Sequence, residues 1–263
     1  MHISKAKLND LKSLFVKKEM EARNLFVAEG WKTCEELLRS DYKIKEIIVS
    51  EKFLKQEKYQ KFFGEVQRRK LSLLWMSEAE AEKISNFSTP PGIFALVERR
   101  PQTLNDGPIL FLDRLNDPGN LGTVLRSAAW FDWQNVVLSE ESVSAYNYKV
   151  VQGSMGAFFY LNILENIYGP KFLKAKKAEG YKIFCAELRE GAQALPEFTW
   201  PKSDKIILVM GSESHGISEE IRALADQSLY IPKIQWGESL NVGVATSMFL
   251  YDWARSLDFK QKH

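Results

Sequence analysis

Two α/β layers, the second built on a parallel sheet with helices on both faces, are what this sequence of 263 residues predicts. Three observations carry that prediction. Short apolar runs of strand length alternate with stretches of helical periodicity along the whole chain. The polar stretch RRPQTLNDGP at 99–108 interrupts the alternation and reads as a linker. Beyond it strands and helices resume in longer elements, and strands separated by helices pair in parallel.

Taken in order, residues 4–22 place Leu8, Leu11, Leu14 and Phe15 at helical spacing among lysines and predict an amphipathic opening helix. Strands follow at 25–27, 44–49, 71–75 and 93–97, with helices over 33–39, 53–67 and 78–84 between them. Ser77 and Glu80 have capping-box spacing ahead of the last of these. The first layer therefore spans residues 1–100, with the linker set at 101–108 and the second region at 109–263. There the strands fall at 109–112, 135–138, 181–186, 206–210 and 228–231. A helix–strand pair runs through 150–163, and helices fall at 121–130, 171–179, 219–224 and from 242 to 255.

Composition narrows the function classes. No apolar stretch has the length of a membrane span and the first residues do not read as a leader, so a cytoplasmic protein with no membrane partner is expected. Cys34 and Cys185 are too few and too far apart for a disulfide framework and read as small buried thiols. Three histidines make a histidine metal cluster a poor expectation. Net charge is only +2, but the first 100 residues hold 20 Lys and Arg against 15 Asp and Glu, a local excess that suits contact with phosphate. Trp31, Phe53, Phe62 and Trp75 could stack on unpaired bases, although their periodicity is that of core residues.

In a parallel sheet, ligands bind beyond the carboxyl ends of the strands, so the loops after Leu112, Met210 and Ile231 are the places to search. The first reads LDRLNDPGNLGTVLRSAAWF from 112 to 131: a tight Asp-Pro-Gly turn, Asn120 as a helix cap, and Arg126 further along the helix where it can meet an anion. The second, VMGSESHGIS at 209–218, has glycines at Gly211 and Gly216 but neither the spacing of a nucleoside triphosphate loop nor a dinucleotide fingerprint. His215 reads as a solvent-facing loop histidine. In the third, Pro232 ends a strand, Gly237 permits a turn, and Ser239 and Asn241 open a helix whose apolar residues are Val242, Ala245, Met248, Phe249 and Trp253.

Together, NLGTVLR (120–126), GSESHG (211–216) and IPKIQWGESLNV (231–242) resemble, in order and spacing, the three motifs of the SpoU/TrmH branch of the SPOUT RNA methyltransferases. QGSMGAFFYLNI at 152–163 looks like the family's small-residue segment before an inner strand. Upstream, FVAEGWKTCEELL and PPGIFALV look like the L30e/L7Ae-like substrate-binding domain often joined to it. The chain departs from the pattern at Gly243, where a serine is common, and at Ile234-Gln-Trp236, where small residues are usual.

The resemblance implies a SPOUT domain with a deep trefoil knot and a smaller L30e-like domain. It implies S-adenosylmethionine held by Met210, Gly211, Ile231, Pro232, Leu240 and Asn241, and no metal. The implied reaction is methyl transfer to a ribose 2′-hydroxyl of RNA, with ribosomal RNA favoured over transfer RNA. Arg126 matches the family's catalytic arginine. Since a guanidinium does not give up its proton, a grip on phosphate and on developing alkoxide charge suits it better than a base role. Asn120, Ser239 and Asn241 would orient the reactants and Glu213 would brace the loops. A homodimer through the knotted domain is implied, with Phe249 and Trp253 contributing. The competing readings are a transfer RNA methyltransferase, a base methyltransferase, and an RNA-binding protein without catalysis.

Overall fold

The computed structural model describes residues 1–212, 214–235, 237 and 239–257. The first of its two units takes Met1–Pro101 with Tyr146–Phe159, and the second takes Gln102–Ala145 and the chain from Tyr160 onward. Segment 146–159, inside the region expected at 109–263, thus packs with the N-terminal residues. Its apolar side chains explain this: Tyr146 and Phe158 are buried, with rings 5.1 Å and 5.9 Å from that of Phe26. An apolar run shows that it will be buried, not which core it joins.

In the first unit the expected opening helix is two helices, α1 (Lys5–Ser13) and α2 (Lys17–Arg23), because the chain turns at Leu14 and leaves Val16 extended. Arg23 clasps them, donating to both carboxylate oxygens of Asp10 at 2.6 Å and 2.9 Å. Then come β1 (Leu25–Glu29), α3 (Trp31–Arg39), β2 (Ile44–Ser50), α4 (Glu51–Leu54), α5 (Gln60–Arg68), β3 (Ser72–Met76), α6 (Glu78–Ile84) and β4 (Ile93–Glu98). The single helix expected over 53–67 is broken by a 3₁₀ turn at Glu57–Tyr59. The break lets the Tyr59 ring stack on Phe53 at 3.9 Å; six residues apart on one straight helix, the two would face different sides. Ser77 and Glu80 form the expected capping box of α6. The sheet order is β1-β4-β2-β3, with β4 antiparallel to both neighbours and β2 parallel to β3. Leu8, Leu11, Val27, Ile48, Ile84 and Phe94 pack in one of its cores.

The second unit contains β5 (Ile109–Asp113), α7 (Pro118–Trp130), β6 (Asn135–Ser139), β7 (Asn162–Ile167), α9 (Gly169–Ala178), β8 (Lys182–Ala186), β9 (Gln193–Ala194), β10 (Ile206–Gly211), α10 (Glu219–Arg222), β11 (Gln227–Tyr230) and α11 (Val242–Arg255), while α8 (Tyr148–Gly153) lies in the first. Its strands run in the order β7-β6-β5-β10-β8-β11-β9, every pairing parallel. All of Ile109–Asp113 is buried, as befits a strand covered on both faces. From β5 the chain winds outward through β6 and β7, whereas the later strands lie on the other side of β5, so direction reverses between β5 and β10. In such sheets the loops leaving the two strands diverge there and open a crevice.

Helix α11 corrects the expected apolar face. Phe249 and Trp253 are buried in their own unit, Trp253 with its ring 5.2 Å from that of Trp133, while Met248 is 42% exposed. An i, i+4 series of buried residues, Val242, Thr246 and Leu250, marks the inner face, and Thr246 fits there by donating its hydroxyl to the Val242 carbonyl. Cys34 and Cys185 are buried free thiols, and burial pushes the Cys185 thiol up to about 12.

Candidate functional site

Strand register brings the three loops together. Leu112 stands opposite Met210, Met210 opposite Ala186, and Ala186 opposite Leu229. The carboxyl ends of β5, β10, β8 and β11 thus form one edge, about 14 Å across at the usual strand spacing. Local sequence places the residues; only the pairing places them side by side.

In the first loop the cap of α7 is Asp117, not Asn120 as expected: the Asp117 carboxylate accepts the Asn120 N–H at 2.7 Å, and Pro118 sits at the first helical turn where no donor is needed. The Asn120 side-chain oxygen instead accepts from the Asn241 amide at 2.8 Å. Asn241 in turn caps α11, its oxygen accepting the N–H groups of Gly243 and Val244 at 3.0 Å and 3.3 Å. One amide thus caps the start of α11 and holds the first turn of α7. The helices also touch further along, where Ser127 and Ser247 hydroxyls lie 2.7 Å apart. A Cβ on Gly243 would lie 2.9 Å from the Thr123 methyl, which is why glycine stands where the family often has serine.

The second loop is drawn tight. Gly216 N–H donates to the Ser212 carbonyl at 2.9 Å, and a Cβ on Gly211 would lie 2.3 Å from the Gly216 carbonyl carbon. Gly211 therefore has to be glycine. Met210 is buried beneath it. His215 is exposed, its Nδ1 paired with the Ser214 hydroxyl at 2.8 Å. Glu213 lies outside the described residues. In the third loop Ile231 is half-buried, Pro232 and Ser239 are exposed and Leu240 is 49% exposed, while Trp236 lies outside the described residues.

Arg126 is exposed and, among the described residues, makes no hydrogen bond or ion pair. It stands about 9 Å along the axis of α7 from Asn120. A cation held on a rigid helix with no anion among the described residues is available to a bound one.

Sequence reasoning missed the residues that brace this edge. Asp113, 2% exposed at the end of β5, accepts the Ser218 N–H at 2.7 Å and has the Arg114 guanidinium 3.7 Å away. Glu187, just after β8, accepts from Arg222 at 2.9 Å and from the Ser228 hydroxyl at 2.9 Å; Arg222 also donates to the Ile217 carbonyl at 2.8 Å. These bonds tie the loop after β10 to β5, β8 and β11. A charged residue ending an apolar strand was the available signal, but its partners are 105 and 35 positions away in sequence. Among the described residues no group of three His, Cys, Asp or Glu could hold a metal ion.

Residues 107–251 match the SpoU rRNA Methylase family, and residues 5–95 match the MRM3-like substrate binding domain. The 23S rRNA (guanosine(2553)-2′-O)-methyltransferase RlmP of Bacillus subtilis is 30% identical over 246 residues, which make up 93% of this chain and 94% of that protein. A solved structure assigned to the TrmH family of RNA methyltransferases, from Porphyromonas gingivalis, is 29% identical with a TM-score of 0.83, covering 97% of this chain and 99% of that one. The AdoMet-bound rRNA methyltransferase from Sinorhizobium meliloti shares the fold at 24% identity and a TM-score of 0.83, covering 99% and 98% of the two chains.

Proposed function

Because the chain belongs to the SpoU rRNA methylase family, we propose that it transfers the methyl group of S-adenosylmethionine to a ribose 2′-hydroxyl of structured RNA, and that this RNA is ribosomal. The observation that carries the reading is the junction of α7 and α11, where Asn120 and Asn241 join two motifs while Arg126, on the same helix as Asn120, has no ion-pair partner among the described residues.

The strand-end loops suit the methyl donor. Gly211 lets the second loop close tightly at the end of β10, and Ile231 and Leu240 offer partly exposed apolar surface for a flat base. Met210, Gly211, Ile231, Pro232, Leu240 and Asn241 are the residues we assign to holding it. When bound, it supplies an electrophilic methyl group on a sulfonium. The protein's own task is then positioning. Arg126 would hold the phosphate next to the reacting ribose and lower the cost of negative charge growing on the 2′-oxygen. Asn120 and Asn241 would orient the reactants through their shared hydrogen bond, Ser239 would add a hydroxyl at the rim, and Glu213 would brace the second loop.

Three further parts belong to the same reading. The chain between β11 and α11 would follow the family's knotted path, supported by the packing of α11 on α7. A homodimer would use the outer face of α11, where Val244, Met248 and Tyr251 are 48%, 42% and 52% exposed at i, i+4 and i+7. A ribosomal substrate would place the protein in the cytoplasm; no helix among the described residues is long and apolar enough to cross a membrane.

Incubating the protein with S-adenosylmethionine and purified ribosomal RNA, then mapping bonds that resist alkaline cleavage, tests the reading. One or a few newly protected riboses are expected. No new 2′-O-methyl group in ribosomal or transfer RNA would overturn it.

A further inference from the structure

The positive excess of the first 100 residues is concentrated in one stretch. Residues 51–70 carry seven Lys and Arg against three Glu, a net of +4 out of the +5 found over 1–100. Glu65 uses its carboxylate on Arg68 and Arg69, which hold it down at about 2. The lysines are different. Lys52, Lys55, Lys58 and Lys61 recur every third residue through α4, the 3₁₀ turn and the start of α5, all exposed. Among the described residues none of them is in an ion pair, and Lys58 lies over the Tyr59 ring at 4.8 Å.

Between these ammonium groups and the core stands a wall of aromatic rings. Trp31, at the first position of α3, has its ring 4.4 Å from Tyr59 and 5.2 Å from Phe62. Phe53 and Phe62 are buried, whereas Trp31 and Tyr59 are only half-buried. The broken helix brings these features together: it stacks Tyr59 on Phe53 while spreading the lysines along the outside. Cations with no carboxylate partner among the described residues, beside half-buried rings, form a surface for phosphates and unstacked bases, not for a folded apolar partner.

We propose that the ridge formed by residues 51–61 with Trp31 docks a single-stranded or looped segment of RNA, lysines on the phosphates and Tyr59 and Trp31 against bases. This rests on the reading of the chain as an RNA methyltransferase and adds the surface by which its first unit takes hold of substrate.

The test uses the full chain and a fluorescein-labelled oligouridylate of about 20 nucleotides, titrated at several salt concentrations, beside S-adenosylmethionine binding by calorimetry. Three proteins are compared: wild type, the triple variant Lys55→Glu/Lys58→Glu/Lys61→Glu, and the matched control Lys17→Glu/Lys18→Glu/Lys174→Glu. The ridge variant is expected to bind RNA at least about tenfold more weakly, with the slope of log affinity against log salt smaller by about 2, since each lost phosphate contact removes about 0.7. Tyr59→Ser should weaken binding about fivefold at unchanged slope, the mark of lost stacking. Binding of S-adenosylmethionine should be unchanged in all. Equal losses in ridge and control variants, or wild-type affinity in the ridge variant, would overturn the proposal. If wild type methylates ribosomal RNA and the ridge variant does so with the same KM, the docking surface fails while the enzymatic reading stands. If wild type methylates nothing yet the ridge binds RNA as described, the reverse holds.

Discussion

The first strand of each sheet ends in a buried carboxylate, Glu29 in β1 and Asp113 in β5, each 2% exposed and each anchoring a loop far along the chain. Glu29 accepts from the Ser85 hydroxyl, and Asp113 from the Ser218 N–H. They differ in company. Asp113 has the Arg114 guanidinium 3.7 Å away, whereas Glu29 leaves its second oxygen without a hydrogen bond among the described residues. Burial therefore pushes the Glu29 carboxyl up to about 7, offset only in part by Ser85 and the Asn86 N–H. The same position in a strand thus has a cation beside it in one unit and an unpartnered oxygen in the other, where burial raises the carboxyl.

The largest expected effect separates the two edges by chemistry. Arg126→Ala should lower methyl transfer about 10²–10³-fold with S-adenosylmethionine still bound, whereas Glu29→Gln should leave the rate within about twofold. Turnover assays beside calorimetry read both, and normal turnover by Arg126→Ala would end the assignment of chemistry to the second unit's edge. Next comes stability. Asp113→Ala leaves the Ser218 N–H and the buried Nε of the half-buried Arg114 without their carboxylate and should cost about 2 kcal/mol, read by urea unfolding.

Glu29 should show the opposite sign. Its unfolded carboxyl ionises near 4.5 while the folded one keeps its proton up to about 7, so between these values the native state binds more protons. Stability contributed by that group falls as pH rises through this window, by about 3 kcal/mol in all, and is level above it. Glu29→Gln should flatten the profile and make the protein more stable than wild type at pH 8; an unchanged slope would mean that the two carboxylates are alike. The smallest effect tests the helix junction. Gly243→Ser should cost about 1 kcal/mol as Thr123 gives way, and Thr123→Ala should restore it.

The α/β alternation was legible because strand and helix periods differ, and most strands lie within a residue or two of where apolar runs place them. The breaks at Leu14 and Glu57 were not, since they answer to Asp10–Arg23 and Phe53–Tyr59 contacts rather than to local preference. The site motifs were visible as three loops. That Asp117 caps α7 was legible in Pro118 at the first helical position, whereas the bond from Asn120 to Asn241, 121 positions away, was not.

By itself the sequence determined the parallel sheet, the loops at its carboxyl ends and the family, because hydrophobic periodicity and ordered motifs are local properties of a chain. Tertiary structure alone decided that 146–159 joins the first unit, that Phe249 and Trp253 turn inward, and that Asn120 and Asn241 meet. Each of these depends on which distant surfaces come into contact, and contact between distant residues leaves no period to read.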